Sequence, residues 1–298
     1  MMTKTTSLSA RLHESALPHF GQTINWVLIA ICFILGSLSF DISSGVRQSP
    51  VTVLSWMPEA WLSAPLSFHI MRTLLWCGAL LWLLGWATPW SCWLATLSFT
   101  GLWSLHMENT TNGAHIFNVS NQLLIVQSLW MTINNREIKL AIKNGKFWST
   151  ELYPNWVFWL GIGFIGLFHS YAGLAKIMHS GIEWPNGTSL QLWAYWDGRP
   201  GSWTRELMIQ NRSFAIIMQW ATLIFETAGI LALFNRNIRL VVGLALLSFY
   251  IGVVFTFDYG FHINLALTAL YHLPFDRWLP LYFSKRQKKK RTAPKPKS

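Results

Sequence analysis

The sequence predicts an all-α membrane protein, a polytopic transmembrane bundle of about eight spans with short interfacial helices on its outer face. Hydrophobic residues make up 52% of the 298 positions and charged residues only 12%, whereas a soluble domain carries roughly 25% charged residues. Aromatic residues reach 15%, a composition that excludes a disordered chain. Apolar segments recur along the chain, and most approach the about 20 residues that a membrane span requires.

Pro, Gly, Asn and charged residues separate these apolar segments. The predicted spans are Ile24–Phe40, Leu66–Trp86, Trp90–Met107, His115–Ile133, Trp156–Ile177, Phe214–Phe234, Ile238–Phe257 and Gly260–Pro274. The eighth is short, and a break near Asp258 separates it from the seventh. We expect the first to be a retained helix rather than a signal peptide, because a long polar and mixed segment precedes it and no small-residue cleavage site follows.

The short basic loops predict the orientation of the bundle. Arg136, Lys139, Lys143 and Lys146 lie between the fourth and fifth spans, and Arg236 and Arg239 lie between the sixth and seventh. Eight spans place these loops and both termini on one side, which the positive-inside rule identifies as cytoplasmic. The predicted organisation is therefore a cytoplasmic segment over residues 1–22, a transmembrane domain over 23–283 and a cytoplasmic tail over 284–298.

The tail accounts for most of the net charge of +11. Eight of its residues are basic, and without them the net charge falls to +3. They are Lys285, Arg286, Lys288, Lys289, Lys290, Arg291, Lys295 and Lys297. A basic tail of this kind predicts attraction to anionic lipids at the cytoplasmic surface and no nucleic-acid partner.

The three cysteines and the remaining polar residues predict no metal site. Cys32, Cys77 and Cys92 lie in apolar segments without the C-x-x-C spacing of a dithiol or zinc site. We interpret them as packing residues.

Two segments between predicted spans are rich in tryptophan. Residues 51–65 and 183–203 contain Trp56, Trp61, Trp184, Trp193, Trp196 and Trp203. Indole rings settle at the membrane interface, so short interfacial helices are expected there. These segments are interpreted either as an ordinary aromatic belt or as a cover over a ligand cavity.

Charged side chains at membrane depth require a partner or a purpose. Glu226 lies near the middle of the sixth predicted span, where a carboxylate is expected to form a helix-to-helix contact or a functional site. Lys176 ends the fifth span and shares a helical face with His169, Ala172 and Gly173. Small residues there predict close helix packing or a cavity, and in such a cavity an amine can act as a base near neutral pH. The alternative from the residues alone is a lysine that snorkels to the membrane interface.

These residues resemble a known family. The run Tyr171-Ala-Gly-Leu-Ala-Lys176, followed by Trp184-x-x-Gly187, resembles the HTTM family, the transmembrane domain shared with vitamin K-dependent γ-glutamyl carboxylase. Glu226 matches the acidic residue of the following helix, and residues 263–274 match the closing apolar segment. The resemblance covers about residues 20 to 280.

The resemblance implies a site and a cofactor. In the carboxylase a lysine at this position deprotonates reduced vitamin K, so Lys176 would be the catalytic base, assisted by His115. The other residues implied to surround a reduced quinone are His169, Tyr171, Gly173, Trp184, Glu226 and Tyr250. Ala175 replaces a second lysine of the carboxylase, and Phe249-Tyr250 replaces a Phe-His pair. A quinone-like pocket is therefore expected more strongly than peptide carboxylation.

Two functions from different classes follow. The first is a quinone-binding enzyme or redox protein that uses Lys176 as a base at the outer face. The second is a non-catalytic membrane module, a maturation or immunity partner of a secreted peptide, in which Lys176 and Glu226 form a structural pair. A transporter is weaker, because no duplicated half is evident.

Overall fold

The computed structural model describes residues 15–16, 18–38, 52–54, 56–109, 117–144, 153–257, 261–279 and 282. Within these ranges the chain is almost entirely helical. The helices are α1 Pro18–Ser37, α2 Glu59–Leu62, α3 Pro65–Leu83, α4 Trp90–Glu108, α5 Asn118–Ile133, α6 Asn135–Lys143, α7 Asn155–Ser180, α8 Thr188–Asp197, α9 Trp203–Gln210, α10 Arg212–Thr227, α11 Arg236–Phe257 and α12 His262–His272. Two short 3₁₀ helices, Gly181–Glu183 and Ala228–Leu233, follow α7 and α10.

Five helical segments in the described part of the chain are long and apolar enough to cross a membrane. They are Phe20–Ser37, Pro65–Leu83, Asn155–Glu183, Arg212–Leu233 and Arg236–Phe257. A multi-pass membrane architecture is therefore supported by length and composition. Helices α5 and α12, of 16 and 11 residues, measure about 24 and 17 Å, less than the about 30 Å hydrocarbon core. The count of eight spans stays a prediction.

Helix α7 contacts much of the bundle, including α5, α10, α12 and the 3₁₀ helix Ala228–Leu233. The core around it contains large aromatic side chains such as Trp130 and Tyr271. The only strands among the described residues are the two-residue pair β1 Ser15–Ala16 and β2 Tyr153–Pro154. This antiparallel contact joins the start of α1 to the start of α7.

The bundle has two ends, which we name by their side chains. At the Trp-rich end, α7 and α11 end and α10 begins, and α8 and α9 form the segment between α7 and α10. This segment is joined to α11 by a hydrogen bond from the backbone N–H of Arg199 to the Thr256 carbonyl at 2.7 Å. At the basic end, α1, α7 and α11 begin and α12 finishes, with Tyr271 packed against Gly161. The predicted sidedness, with the basic end cytoplasmic, stays a prediction.

The tryptophans of the Trp-rich segments divide into two groups. Trp56, Trp193, Trp196 and Trp203 are between 54 and 76% exposed, as expected for an aromatic belt at a membrane interface. Trp61 and Trp184 are partly buried. The short helices expected in these segments are present as α2 and α8, and α9 begins at Trp203, the last residue of the second segment.

Several polar side chains of the bundle form hydrogen bonds to groups on other segments. The Gln127 amide donates to Asn25 Oδ1 at 2.5 Å, and the hydroxyls of Thr96 and Ser128 are 2.8 Å apart. Arg72, a charge in the second predicted span, donates to the Leu38 carbonyl at 2.9 Å. Such pairing is required because an unsatisfied polar group in an apolar environment is costly.

The helix that contains Glu226 changes geometry one residue after it. It is α-helical to Thr227 and 3₁₀ from Ala228. The Ser170 hydroxyl on α7 donates to the Thr227 carbonyl and accepts from the Ile230 amide, both at 2.9 Å. Ser170 thus supplies the hydrogen bonds that the change of helix type would otherwise leave unmade.

Glycines allow α7 to approach this segment closely. A Cβ at Gly166 would lie 2.8 Å from the Gly229 carbonyl oxygen, and one at Gly229 would lie 2.7 Å from the Gly166 carbonyl oxygen. Both obstacles are backbone atoms, which cannot rotate away. The two helices therefore meet at the distance that two glycines permit.

We expect Gly166→Ala to destabilise the folded protein by about 1 to 3 kcal/mol, the usual cost of overpacking. Gly163→Ala is the matched control, because a Cβ there would meet Leu233 methyl groups at an ordinary 3.8 Å. Thermal unfolding in detergent measures both. Equal midpoints for the two variants would contradict the glycine contact.

Candidate functional site

The candidate site is an ion pair between α7 and α10. The Lys176 ammonium donates to Glu226 Oε2. Position 176 lies four residues before the end of α7, and Glu226 is the second-last residue of α10. The pair joins the two residues that the sequence marked separately as charges at membrane depth.

The two side chains of the pair differ in solvent exposure. The Lys176 side chain is 26% exposed, and the Glu226 side chain is 6% exposed. Lys176 Nζ also lies 5.4 Å from the centroid of the Trp184 ring, within the range of a cation–π contact. A molecule approaching from outside therefore meets the amine and the indole first, with the carboxylate behind them.

Gln219 fixes the turn that carries Trp184. Its Oε1 accepts from the Gly187 amide at 2.5 Å, and its Nε2 donates to the Trp184 carbonyl at 3.1 Å and to Ser189 Oγ at 2.6 Å. Gln219 lies seven residues before Glu226 on α10, which places both on one helical face. Gly187 has φ +90°, a conformation that favours glycine. One helix thus positions both the Trp-x-x-Gly turn and the partner of Lys176.

Gly173 serves helix packing rather than an opening. A Cβ at this position would lie 2.6 Å from Thr227 Oγ1 and 2.7 Å from the Thr227 amide nitrogen. Thr227 follows Glu226 directly. Of the two expectations for the small residues beside Lys176, close packing and a cavity, the structure shows close packing at Gly173.

His169 and Tyr250 form a second polar pair deeper in the bundle. The Tyr250 hydroxyl and His169 Nε2 are 2.9 Å apart, and the residues are 1% and 2% exposed. These two residues stand behind the Lys176–Glu226 pair and bind each other, so they support the site from inside.

One predicted site residue, Tyr171, points away from the pair, and another, His115, is not among the described residues. Tyr171 is 76% exposed and, at 100° per residue, points about 140° away from Lys176 around α7. Asp258 and the basic tail from residue 285 onward also lie outside the described residues. The structure therefore brings together Lys176, Glu226, Trp184 and Gly173, with His169 and Tyr250 behind them.

Sequence reasoning missed Gln219 and Ser170. The available signal for Gln219 was its spacing of seven residues from Glu226, since a second polar residue on the same face of an apolar helix also requires a partner. Ser170 gave no such signal, because serine occurs in membrane helices without a cross-helix contact.

The arrangement places an amine in direct hydrogen-bond contact with a carboxylate. Lys176 does not stand alone in an apolar cavity, because Glu226 supplies a charged partner and a proton acceptor in direct contact. The pair offers one accessible nitrogen and one sheltered oxygen. Among the described residues, no group of three or more His, Cys, Asp or Glu side chains is arranged to hold a metal ion.

Comparison of the chain with protein families, curated proteins and solved structures gives no match. The resemblance to the HTTM family therefore stays a prediction from the residues quoted above.

We expect Gln219→Leu to release the Trp184 turn, because three hydrogen bonds are lost together. Hydrogen exchange at the Gly187 amide should become faster by about tenfold or more, as loss of roughly one hydrogen bond's net stability implies. Gln210→Leu, at an exposed position on α9, should leave it unchanged. Unaltered exchange in the Gln219 variant would show that the turn is held by other contacts.

Proposed function

We propose that the protein is a multi-pass membrane protein that binds a lipophilic aromatic alcohol, such as a reduced quinone, at the Trp-rich end, and that the Lys176–Glu226 pair takes up its hydroxyl proton. The observation that supports this proposal is the direct contact of a partly exposed amine with a sheltered carboxylate beneath the Trp184 ring.

The pair can accept a proton without an isolated neutral lysine. Lys176 Nζ passes a proton to Glu226 Oε2 as it accepts one from the hydroxyl of the bound molecule. The O–H bond of the ligand breaks, an N–H bond forms, and the carboxylate becomes a carboxylic acid. Lys176 is left as an ammonium beside the new negative charge, which it stabilises.

The residues at the surface of the site fit a flat ring with one polar group. Trp184 is partly buried and offers an indole face beside the amine, and aromatic rings stack favourably in offset or edge arrangements. A reduced quinone, when bound, supplies an acidic hydroxyl and two electrons. Because His169 and Tyr250 are buried against each other, we place the ring at the surface next to Lys176 and Trp184. Carboxylation of a secreted peptide rests on the resemblance alone.

A naphthol probe tests proton uptake, because its absorption spectrum differs between the neutral and ionised forms. We expect purified protein to raise the ionised fraction at neutral pH, and Lys176→Met to abolish this effect. Lys139→Met, at an exposed position on α6, is the control and should behave as the unmodified protein. An unchanged spectrum with the unmodified protein would overturn the proposal.

A second function is favoured by the tight packing around the pair. Gly173 against Thr227 and Ser170 against Thr227 and Ile230 surround the pair with fixed contacts. In a non-catalytic membrane module, the Lys176–Glu226 ion pair would hold α7 against α10 and perform no chemistry. The partner of such a module, a secreted peptide, follows from the sequence hypothesis.

Stability and ionisation of the naphthol probe, measured on the same variants, separate the two functions. Lys176→Met leaves Glu226 buried without its partner, at a cost of about 3 to 5 kcal/mol. The double variant Lys176→Met/Glu226→Gln should recover most of this loss, because the uncompensated charge is gone. If the double variant is as stable as the unmodified protein and still ionises the probe, the pair only joins α7 to α10 and does not take up the proton. Loss of ionisation at full stability supports proton uptake.

A further inference from the structure

Helix α6 carries a row of positive charges that the Lys176 site does not use. Its sequence is Asn-Arg-Glu-Ile-Lys-Leu-Ala-Ile-Lys over residues 135–143, and Arg136, Lys139 and Lys143 are exposed. At 100° per residue, these three side chains fall within an arc of about 60° around the helix. We call them the α6 basic stripe.

The α6 basic stripe includes no anion of its own. Glu137 is the single acidic residue in the sequence of α6, and it lies at least about 100° around the helix from each of the three cations. Within the part of the chain that the structure describes, no ion pair involves α6. Residues three or four positions apart on a helix are neighbours, and like charges there repel each other. The stripe therefore favours an anionic partner.

The opposite side of α6 attaches the helix to the basic end of the bundle. Ile138 is 3% exposed and belongs to the main hydrophobic core, and it lies about 100 to 160° around the helix from the three cations. Trp130, in the last turn of α5, lies against Tyr153 just before α7 begins, with ring centroids 5.2 Å apart. The core thus holds α6 by one face, and the stripe points away from the core.

Exposed indole rings mark the depth of the membrane interface beside α6. Trp86 and Trp90, between α3 and α4 and at the start of α4, are 63% and 73% exposed. The Trp93 indole N–H donates to Thr132 Oγ1 at 2.8 Å, so the two residues lie at one depth. Trp90 is about 4.5 Å of helical rise from Trp93, and Arg136 is at most about 6 Å from Thr132. Because indoles settle at the membrane interface, the stripe begins at headgroup depth.

Apolar side chains beside the stripe favour a lipid surface over a soluble polyanion. Leu140 is 52% exposed and lies about 40° around α6 from Arg136. Ile133, the last residue of α5, is 69% exposed. An amphipathic helix at a membrane surface buries such residues at the acyl boundary while its cations stay among the headgroups. A nucleic acid or an acidic protein would leave them in water.

We propose that the α6 basic stripe binds anionic phospholipid headgroups at the membrane surface of the basic end. The two ammonium groups and the guanidinium attract the phosphates, and Leu140 contacts the acyl chains beside them. Anionic lipids are preferred over zwitterionic lipids because only the former carry a net charge. The sequence predicted such lipids at the tail from residue 285 onward, and the stripe is a separate site. The proposal is independent of the function of Lys176 and Glu226.

Photo-crosslinking in nanodiscs tests the proposal on the full chain. A phosphatidylglycerol probe and a phosphatidylcholine probe carry the same photoreactive group in the acyl chain, and mass spectrometry measures the cross-links of each to residues 133–144. We expect the phosphatidylglycerol probe to cross-link there at least about fivefold more than the phosphatidylcholine probe. One cation near an anionic surface supplies about this factor.

Removal of the charges localises the preference. Arg136→Gln/Lys139→Gln/Lys143→Gln should bring the ratio of the two probes at residues 133–144 to about one. The three positions are exposed, so the thermal unfolding midpoint should change little. An unchanged midpoint shows that a lost preference does not come from unfolding.

A tail variant is the matched control. Lys288→Gln/Lys289→Gln/Lys290→Gln removes the same number of charges from the chain and should leave the probe ratio at residues 133–144 unchanged. Leu140→Ser should reduce cross-linking of both probes there, because it removes the contact with the acyl chains.

The outcomes decide as follows. A preference for phosphatidylglycerol that is lost in the α6 variant and kept in the tail variant supports the proposal. The proposal is overturned if the unmodified protein shows no preference at residues 133–144, or if the α6 variant retains it. It is also overturned if the tail variant loses as much, since net charge alone would then select the lipid. If the α6 variant loses binding of heparin instead of the lipid preference, the stripe serves a soluble polyanion and the proposal is wrong.

Discussion

A charge inside an apolar helix bundle requires a partner, and this requirement decides how α7 packs against α10. Lys176 and Glu226 satisfy each other across the interface. The backbones come close because Gly166, Gly173 and Gly229 have no side chains of their own at the interface. The ion pair and the glycine contacts therefore depend on each other, since a wider separation would leave both charges without partners at membrane depth.

The same interface explains why Glu226 is followed by a change of helix type. Ser170 on α7 replaces hydrogen bonds at the transition after Thr227, and Gln219 on α10 fixes the turn beneath which Lys176 lies. Each helix thus supplies hydrogen bonds to backbone groups in or directly after the other helix. A site built on such mutually fixed elements is held rigidly, which is a condition for positioning a proton acceptor.

The positions of the helices along the chain were predictable from the sequence, but the network of polar contacts between the helices was not. Apolar length placed helices near all eight predicted segments, and Trp90 is the first residue of α4 as predicted. The first helix begins at Pro18 rather than at Ile24, because its opening turn packs against Tyr153 and Phe158. Tyr171 was grouped with Lys176 by the motif, yet helical geometry turns it outward, since five residues do not complete whole turns.

The sequence by itself determined that the chain is helical, apolar and suited to a membrane, because hydrophobic length and composition act locally along the chain. It also marked Lys176 and Glu226 as residues in need of partners. Only the tertiary structure decided that they are each other's partner and that Gln219 holds Trp184 beside the amine. Those contacts join residues that are 32 to 50 positions apart in the sequence. Their geometry therefore follows from helix packing rather than from any local sequence pattern.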